Sequence, residues 1–217
     1  LKGGIHLSSL VLDEYSQLLV EGIKNTAGVM SSPIWLLANP KYAAARHYIW
    51  TPILEEIQDK VYRTLHARID TENIYIKNVA SDIGIVSNSR NCGAEERTKE
   101  ILIFRKIVRE CQPKILITFG NITYEFVRRV LELRPENGPQ YWSSTNLGNE
   151  FERSIVDFDI NRINVIPIHC RVMKSGKLFG DRNHSSWRGI ENYFHDIGSK
   201  IADRIIENKD SLKIWIE

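Results

Sequence analysis

Three side chains suited to polar chemistry follow apolar, β-branched runs at wide intervals: Asn39, Asn78 and His169. An asparagine amide presents a donor and an acceptor side by side, an arrangement that matches the edge of a planar base. A neutral histidine can donate one hydrogen bond toward developing negative charge, the oxyanion type of stabilisation. Each residue also has a plainer reading. Asn39-Pro40 and Asn78 fit ordinary turns or strand ends, and a lone histidine is commonly structural. The chain has no Walker A loop, no GxGxxG, no HExxH and no nucleophile elbow. Dinucleotide binding, phosphate-loop chemistry, thermolysin-type zinc and serine hydrolysis are therefore disfavoured.

The runs ahead of these residues set the frame. PIWLLA (33–38), NIYIKN (73–78), KILITF (114–119) and INVIPI (163–168) are short, apolar and rich in β-branched residues, which predicts buried strands. Pro167 removes one ladder donor, so the fourth strand is expected at a sheet edge. Helical spacing is read over 8–25, 51–67, 95–111, 121–133 and 187–207, with Thr51-Pro52 opening the second helix and Asn121 capping the fourth. IGIVSNSRNCG (83–93) and RPENGPQYWSSTNLGNE (134–150) read as loops. Strands alternating with helices predict an α/β fold: three α/β/α layers around a central, mainly parallel four-stranded sheet, in a single domain over 1–217. In such sheets ligands bind outside the carboxyl ends of the strands, where Asn39-Pro40, Asn78, Gly120-Asn121 and His169 stand.

Composition narrows the partners. The chain has 217 residues, 42% of them hydrophobic and 26% charged, with a net charge of only +2, so indiscriminate polycation binding to nucleic acid is not expected. One stretch is locally basic: Arg162, Arg171, Lys174, Lys177, Arg182 and Arg188 face the single acid Asp181. A solvated surface would explain that equally well. Cys92, Cys111 and Cys170 are an odd number without CxxC spacing, which argues for reduced thiols rather than a disulfide framework or zinc knuckle. No apolar run approaches the roughly 20 residues that cross a bilayer. The start, LKGGIHLSSLVLDEY, lacks the order of a signal peptide, and a cytoplasmic location is expected.

Taken as an ordered set, these strand ends resemble the uracil-DNA glycosylase superfamily. Leu37-Ala38-Asn39-Pro40 looks like its first motif, Gly-x-Asp/Asn-Pro, in the Asn-Pro form of the mismatch-specific and single-strand-selective branches. IYIKNVASD is similar to the strand whose terminal asparagine reads the pyrimidine edge. NSRNCGAEERTKEILIFRKIVRECQPKILITFGNITYEFV resembles the family's connecting run. His169 matches the histidine of the last motif, and KLFGDRNHSSW is similar to the run after its wedge loop. The resemblance covers residues 33–205. Leu37 replaces the first-motif glycine, Cys170-Arg171 replaces the Pro-Ser after the histidine, and the four cysteines of the iron–sulfur branches are absent.

The resemblance implies a monofunctional DNA glycosylase that hydrolyses the N-glycosidic bond of a flipped-out uracil or related damaged base. It implies that Asn39 positions the attacking water and His169 stabilises the leaving anion. Asn78 would bind the base, Pro40 would border it, and Tyr48 or Trp50 would stack on it. Met173 would wedge into the duplex while Arg171, Lys174, Lys177 and Arg182 contact DNA phosphates. Neither cofactor nor metal is implied, and the protein is expected to act as a monomer on DNA. Two other classes stay open. Leu37, expected to crowd the water site, and Cys170-Arg171 leave room for a catalytically weak nucleic-acid-binding protein on the same fold. A nucleoside or nucleotide N-glycosidase shares the bond type, but its usual carboxylate nucleophile is missing from all four strand ends.

Overall fold

The four apolar runs form parallel strands in a computed structural model that describes residues 26–38, 45–71, 74–79, 94–135, 137–169 and 184–216. For 26–27, 45–49, 94–99 and 184–192 it describes the backbone alone. In chain order the elements are β1 (Thr26–Ala27), β2 (Ile34–Ala38), α1 (Ala45–Leu65), β3 (Arg68–Ile69) and β4 (Tyr75–Asn78). Then come α2 (Ala94–Cys111), β5 (Ile115–Phe119), α3 (Asn121–Val130), α4 (Ser144–Val156), β6 (Asn164–Ile168), α5 (His184–Glu207) and β7 (Trp215–Ile216). The main sheet has the order β1-β4-β2-β5-β6. The expected four strands, β4, β2, β5 and β6, pair in parallel, and the two-residue β1 adds an antiparallel edge to β4. β6 forms the other edge, as Pro167 predicts.

Helices cover both faces, giving the three α/β/α layers. Side chains alternate across a strand, so Trp35 and Leu37 point one way and Ile34, Leu36 and Ala38 the other. The first set packs with Tyr75 and Leu116 against Phe104, Ile107 and Val108 of α2 and Phe126, Val127 and Val130 of α3. The second set packs with Ile115, Ile117, Phe119, Ile166 and Ile168 against α1, α4 and α5. β2 and β5 are buried on both faces, which is why their sequences are almost wholly apolar. Fully burying one such aliphatic side chain contributes about 1.5 to 3 kcal/mol.

On the second face α1 and α5 lie close together at Gly198. A Cβ there would stand 2.9 Å from the Cβ of Glu56 and 3.1 Å from the carbonyl oxygen of Ile53. Lys60 of α1 crosses to α5, 2.6 Å from Asp203 and 2.8 Å from the Ser199 hydroxyl. β3 and β7 make a separate antiparallel pair.

Three local expectations need correcting. α1 begins at Ala45, so Thr51-Pro52 lies inside it rather than opening it. Pro52 removes one donor from the helical ladder, a local cost set against the burial of Trp50, Ile53, Ile57 and Val61. α3 is capped by Gly120, at φ 86°, rather than Asn121, whose side chain accepts from the Ile122 N–H and donates to the Pro139 carbonyl. Residues 144–150, read as loop, open α4 instead. Ser143 caps it by accepting the Asn146 N–H, and Leu147, Phe151 and Ile155 form its buried stripe. The segments 8–25 and 83–93 lie outside the described residues.

Candidate functional site

Register aligns the strand ends in one row. Asn78 of β4 pairs with Ala38 of β2, Ala38 with Phe119 of β5, and Phe119 with Ile168 of β6. The pairing continues one step further, because the Val79 N–H donates to the Ala38 carbonyl and the Gly120 N–H to the Ile168 carbonyl. Gly120 then turns into α3 with a positive φ that few side-chain-bearing residues tolerate. Asn78 and His169 therefore stand on the same carboxyl edge, on either side of the strand end that leads to Asn39. Three strand spacings separate β4 from β6, roughly 14 Å. That is too far for a direct hydrogen bond between the two side chains.

The side chains near the row divide between the two faces of the sheet. Tyr75 points into the α2/α3 layer and Lys77 lies 5.6 Å above the Phe104 ring of α2, so alternation turns Asn78 toward the α1/α5 side with Ala38, Phe119 and Ile168. These three buried side chains form an apolar floor between Asn78 and His169. The Asn78 Oδ1 is itself buried and has no hydrogen-bond partner among the described residues. A buried amide oxygen left unmatched costs about 1 to 3 kcal/mol, which a ligand N–H would recover. On the opposite face, burial lowers the Lys77 ammonium from its ordinary range, against a smaller opposing effect of the Glu100 charge.

His169 is fixed from α5. Its backbone N–H donates to the Tyr193 hydroxyl at 3.2 Å, and the two rings lie 4.4 Å apart at 38°. Tyr193 reads from sequence only as an inward aromatic of a long helix, with nothing to mark its contact with a residue 24 positions earlier.

Of the other sequence candidates, Trp50 is 2% exposed and stands edge-on to Phe119, with centroids 6.1 Å apart. Its ring belongs to the core behind the floor, and its Nε1 has no partner among the described residues. Leu37 is also fully buried, among Trp35 and the α2/α3 side chains, on the face opposite Asn78. Its bulk is directed away from the side on which the row's side chains gather. Tyr48 belongs to α1, its side chain outside the description. Asn39, Pro40, Arg171, Met173, Lys174, Lys177 and Arg182 lie outside the described residues.

Among the described residues no cluster of histidine, cysteine, aspartate or glutamate could hold a metal ion, and no helix is long and apolar enough to cross a membrane. Compared with known proteins, the chain matches no family model and no curated protein.

Proposed function

We propose that the chain is a monofunctional DNA glycosylase that removes uracil or a related damaged base. The observation that carries this reading is the register row, with Asn78 and His169 on either side of the strand end leading to Asn39. The substrate nucleotide leaves the stack, at a cost of a few kcal/mol, and enters the carboxyl edge. Asn78 Oδ1, buried without a partner among the described residues, accepts the N–H of the pyrimidine edge. Since Trp50 is committed to the core, the stacking role is assigned to Tyr48 and that of bordering the base to Pro40. Such stacking is worth about 1 to 3 kcal/mol per base.

The bond broken is that between the anomeric carbon and the base nitrogen, and its electron pair leaves with the base. Asn39 orients the water whose oxygen bonds to the sugar, and the proton that this water sheds passes to the departed base anion, which leaves neutral. An amide is too weak a base to deprotonate that water early, so bond cleavage leads and the sugar passes through an oxocarbenium-like state. His169 donates a hydrogen bond to the oxygen of the departing base anion, and Tyr193 holds the histidine in place. Arg171, Lys174, Lys177 and Arg182 bind phosphates, while Met173 fills the gap in the duplex.

The test is direct. Oligonucleotides carrying uracil, hypoxanthine, xanthine or hydroxymethyluracil are incubated with the protein, then treated with hot alkali. Strand breaks at the modified base are expected for at least one substrate. Intact strands across the panel would overturn the enzyme reading, and salt-sensitive duplex binding without cleavage would favour a nucleic-acid-binding protein on this fold.

A further inference from the structure

A cavity lies at the opposite end of the sheet from the register row. It has a volume of about 350 Å³ and opens beside Asn164, the first residue of β6, whereas His169 follows the last. Its lining includes Arg128 of α3, Arg153 of α4, and Arg134 and Arg162 from the connecting segments, against the carboxylates Glu150 and Asp157. Glu150 is paired through its carboxylate, whereas Asp157 is tied through its backbone. Glu150 accepts from the Tyr124 hydroxyl at 2.8 Å and from Arg153, and Asp157 caps α4, its carbonyl accepting from Arg162.

Arg128 is the unusual member. It is 5% exposed, and none of the ion pairs among the described residues includes it. Its guanidinium lies 5.0 Å from the Trp142 ring and 5.7 Å from the Tyr124 ring; Nη2 donates to the Pro135 carbonyl at 3.0 Å, and Nη1 is 3.5 Å from the Tyr124 hydroxyl. Nε is buried with no acceptor among the described residues. A buried cation with an unused donor is costly unless an anion reaches it. The plain structural role, clamping the segment after α3, uses the Nη atoms and the ring faces but not Nε.

Electrostatics favours an anion despite the two helix ends nearby. The carboxyl ends of α3 and α4 contribute the equivalent of about half a negative charge each. Against those ends stand the guanidiniums of Arg128 and Arg162, which enter no ion pair among the described residues.

We propose that this cavity binds the phosphate group of a small phosphorylated compound, with Arg128 as the buried anchor and Arg153 and Arg162 at the rim. The guanidiniums reach the cavity from different elements, and a tetrahedral oxyanion accepts from several directions at once, whereas a carboxylate accepts mainly in one plane. Phosphate alone would leave most of the volume empty. Leu133, Ile163 and Val165 offer an apolar wall for an organic group attached to it. The site lies at the opposite end of β6 from the register row, so neither assignment depends on the other.

Titration calorimetry at constant ionic strength tests this with phenyl phosphate, inorganic phosphate, and a single-stranded deoxyoligonucleotide lacking terminal phosphates. Because Arg128 also holds the Pro135 carbonyl, R162Q and R153Q carry the test, each first shown to melt as the parent does. Phenyl phosphate is expected to bind saturably and more tightly than inorganic phosphate, and each variant should weaken it about tenfold. No saturable binding of phenyl phosphate, or binding indifferent to both substitutions, would overturn the proposal. Equally tight, R162Q-sensitive binding of the oligonucleotide would overturn the small-ligand assignment in favour of backbone phosphates.

Discussion

Tyr193 of α5 holds His169 at two points: its hydroxyl accepts the histidine's backbone N–H at 3.2 Å, and its ring lies 4.4 Å from the imidazole. The first contact fixes where the chain leaves β6, and the second restricts the imidazole's rotation. Tyr193→Phe keeps the ring and removes the acceptor. It should cost about 1 kcal/mol in urea denaturation, the net worth of one such bond. If Tyr193 positions His169 for chemistry, base removal should also slow about tenfold with DNA affinity retained. A stability loss with an unchanged excision rate would leave Tyr193 a packing residue only.

Asn78 makes the opposite prediction, because its Oδ1 has no partner among the described residues to lose. Asn78→Ala should stay within about 1 kcal/mol of the parent, since no described bond to that oxygen is broken. Base removal, in contrast, should fall by about a hundredfold or more, because a site built to hydrogen-bond a substrate group discriminates strongly. Denaturation and single-turnover excision on the same protein separate the two effects. A loss of several kcal/mol in stability would mark Asn78 as a structural strand end.

The strands that carry this site were legible in sequence because burial on both faces demands unbroken apolar runs, as in Ile34–Ala38 and Ile115–Phe119. Their spatial order was not, since β4 and β5 flank β2 through contacts no local pattern encodes. α4 was hidden for a specific reason. Ser143 and Asn146 read as loop residues although they form its cap, while the helical signal rests on Leu147, Phe151 and Ile155 alone. Pro52 misled in the other direction, looking like a helix start when tertiary burial carries α1 through it. The arginine cavity had no sequence signature, because Arg128, Arg134, Arg153 and Arg162 converge from separate segments.

Gly198 and Gly148 are both helical, yet substitution should act in opposite directions. Alanine is favoured over glycine in a helix interior by about 1 kcal/mol. At Gly148 of α4 nothing lies within 4 Å of an added Cβ, so Gly148→Ala should stabilise by up to about that amount. At Gly198 the new atom would press on the Glu56 Cβ at 2.9 Å and the Ile53 carbonyl oxygen at 3.1 Å. The carbonyl belongs to helix backbone and cannot swing aside, so Gly198→Ala should destabilise by about 1 to 2 kcal/mol after the propensity gain. Urea midpoints for the two variants give the comparison. Equal stabilisation by both would show that α1 and α5 do not meet this closely.

Tyr75 links burial to the alkaline limit of stability. Its ring packs edge-on to Trp35, with centroids 4.8 Å apart, and its buried hydroxyl has no hydrogen-bond partner among the described residues. Burial, and secondarily the nearby Cys111 charge, pushes the phenol up to about 12 from an ordinary 10.0. The folded state therefore keeps its proton at a pH where the unfolded chain has released it. This contribution to stability is fully present below about pH 10 and is lost as pH rises toward 12. The slope approaches about 1.4 kcal/mol per pH unit, or on the order of 3 kcal/mol in all. Tyr75→Phe removes both the titration and the unmatched hydroxyl. At neutral pH the variant should be as stable as the parent or about 1 kcal/mol more so. Between pH 10 and 12 its unfolding free energy should fall less steeply than the parent's. Parallel alkaline limbs in the two proteins would show that Tyr75 ionises as freely in the folded chain as in the unfolded one.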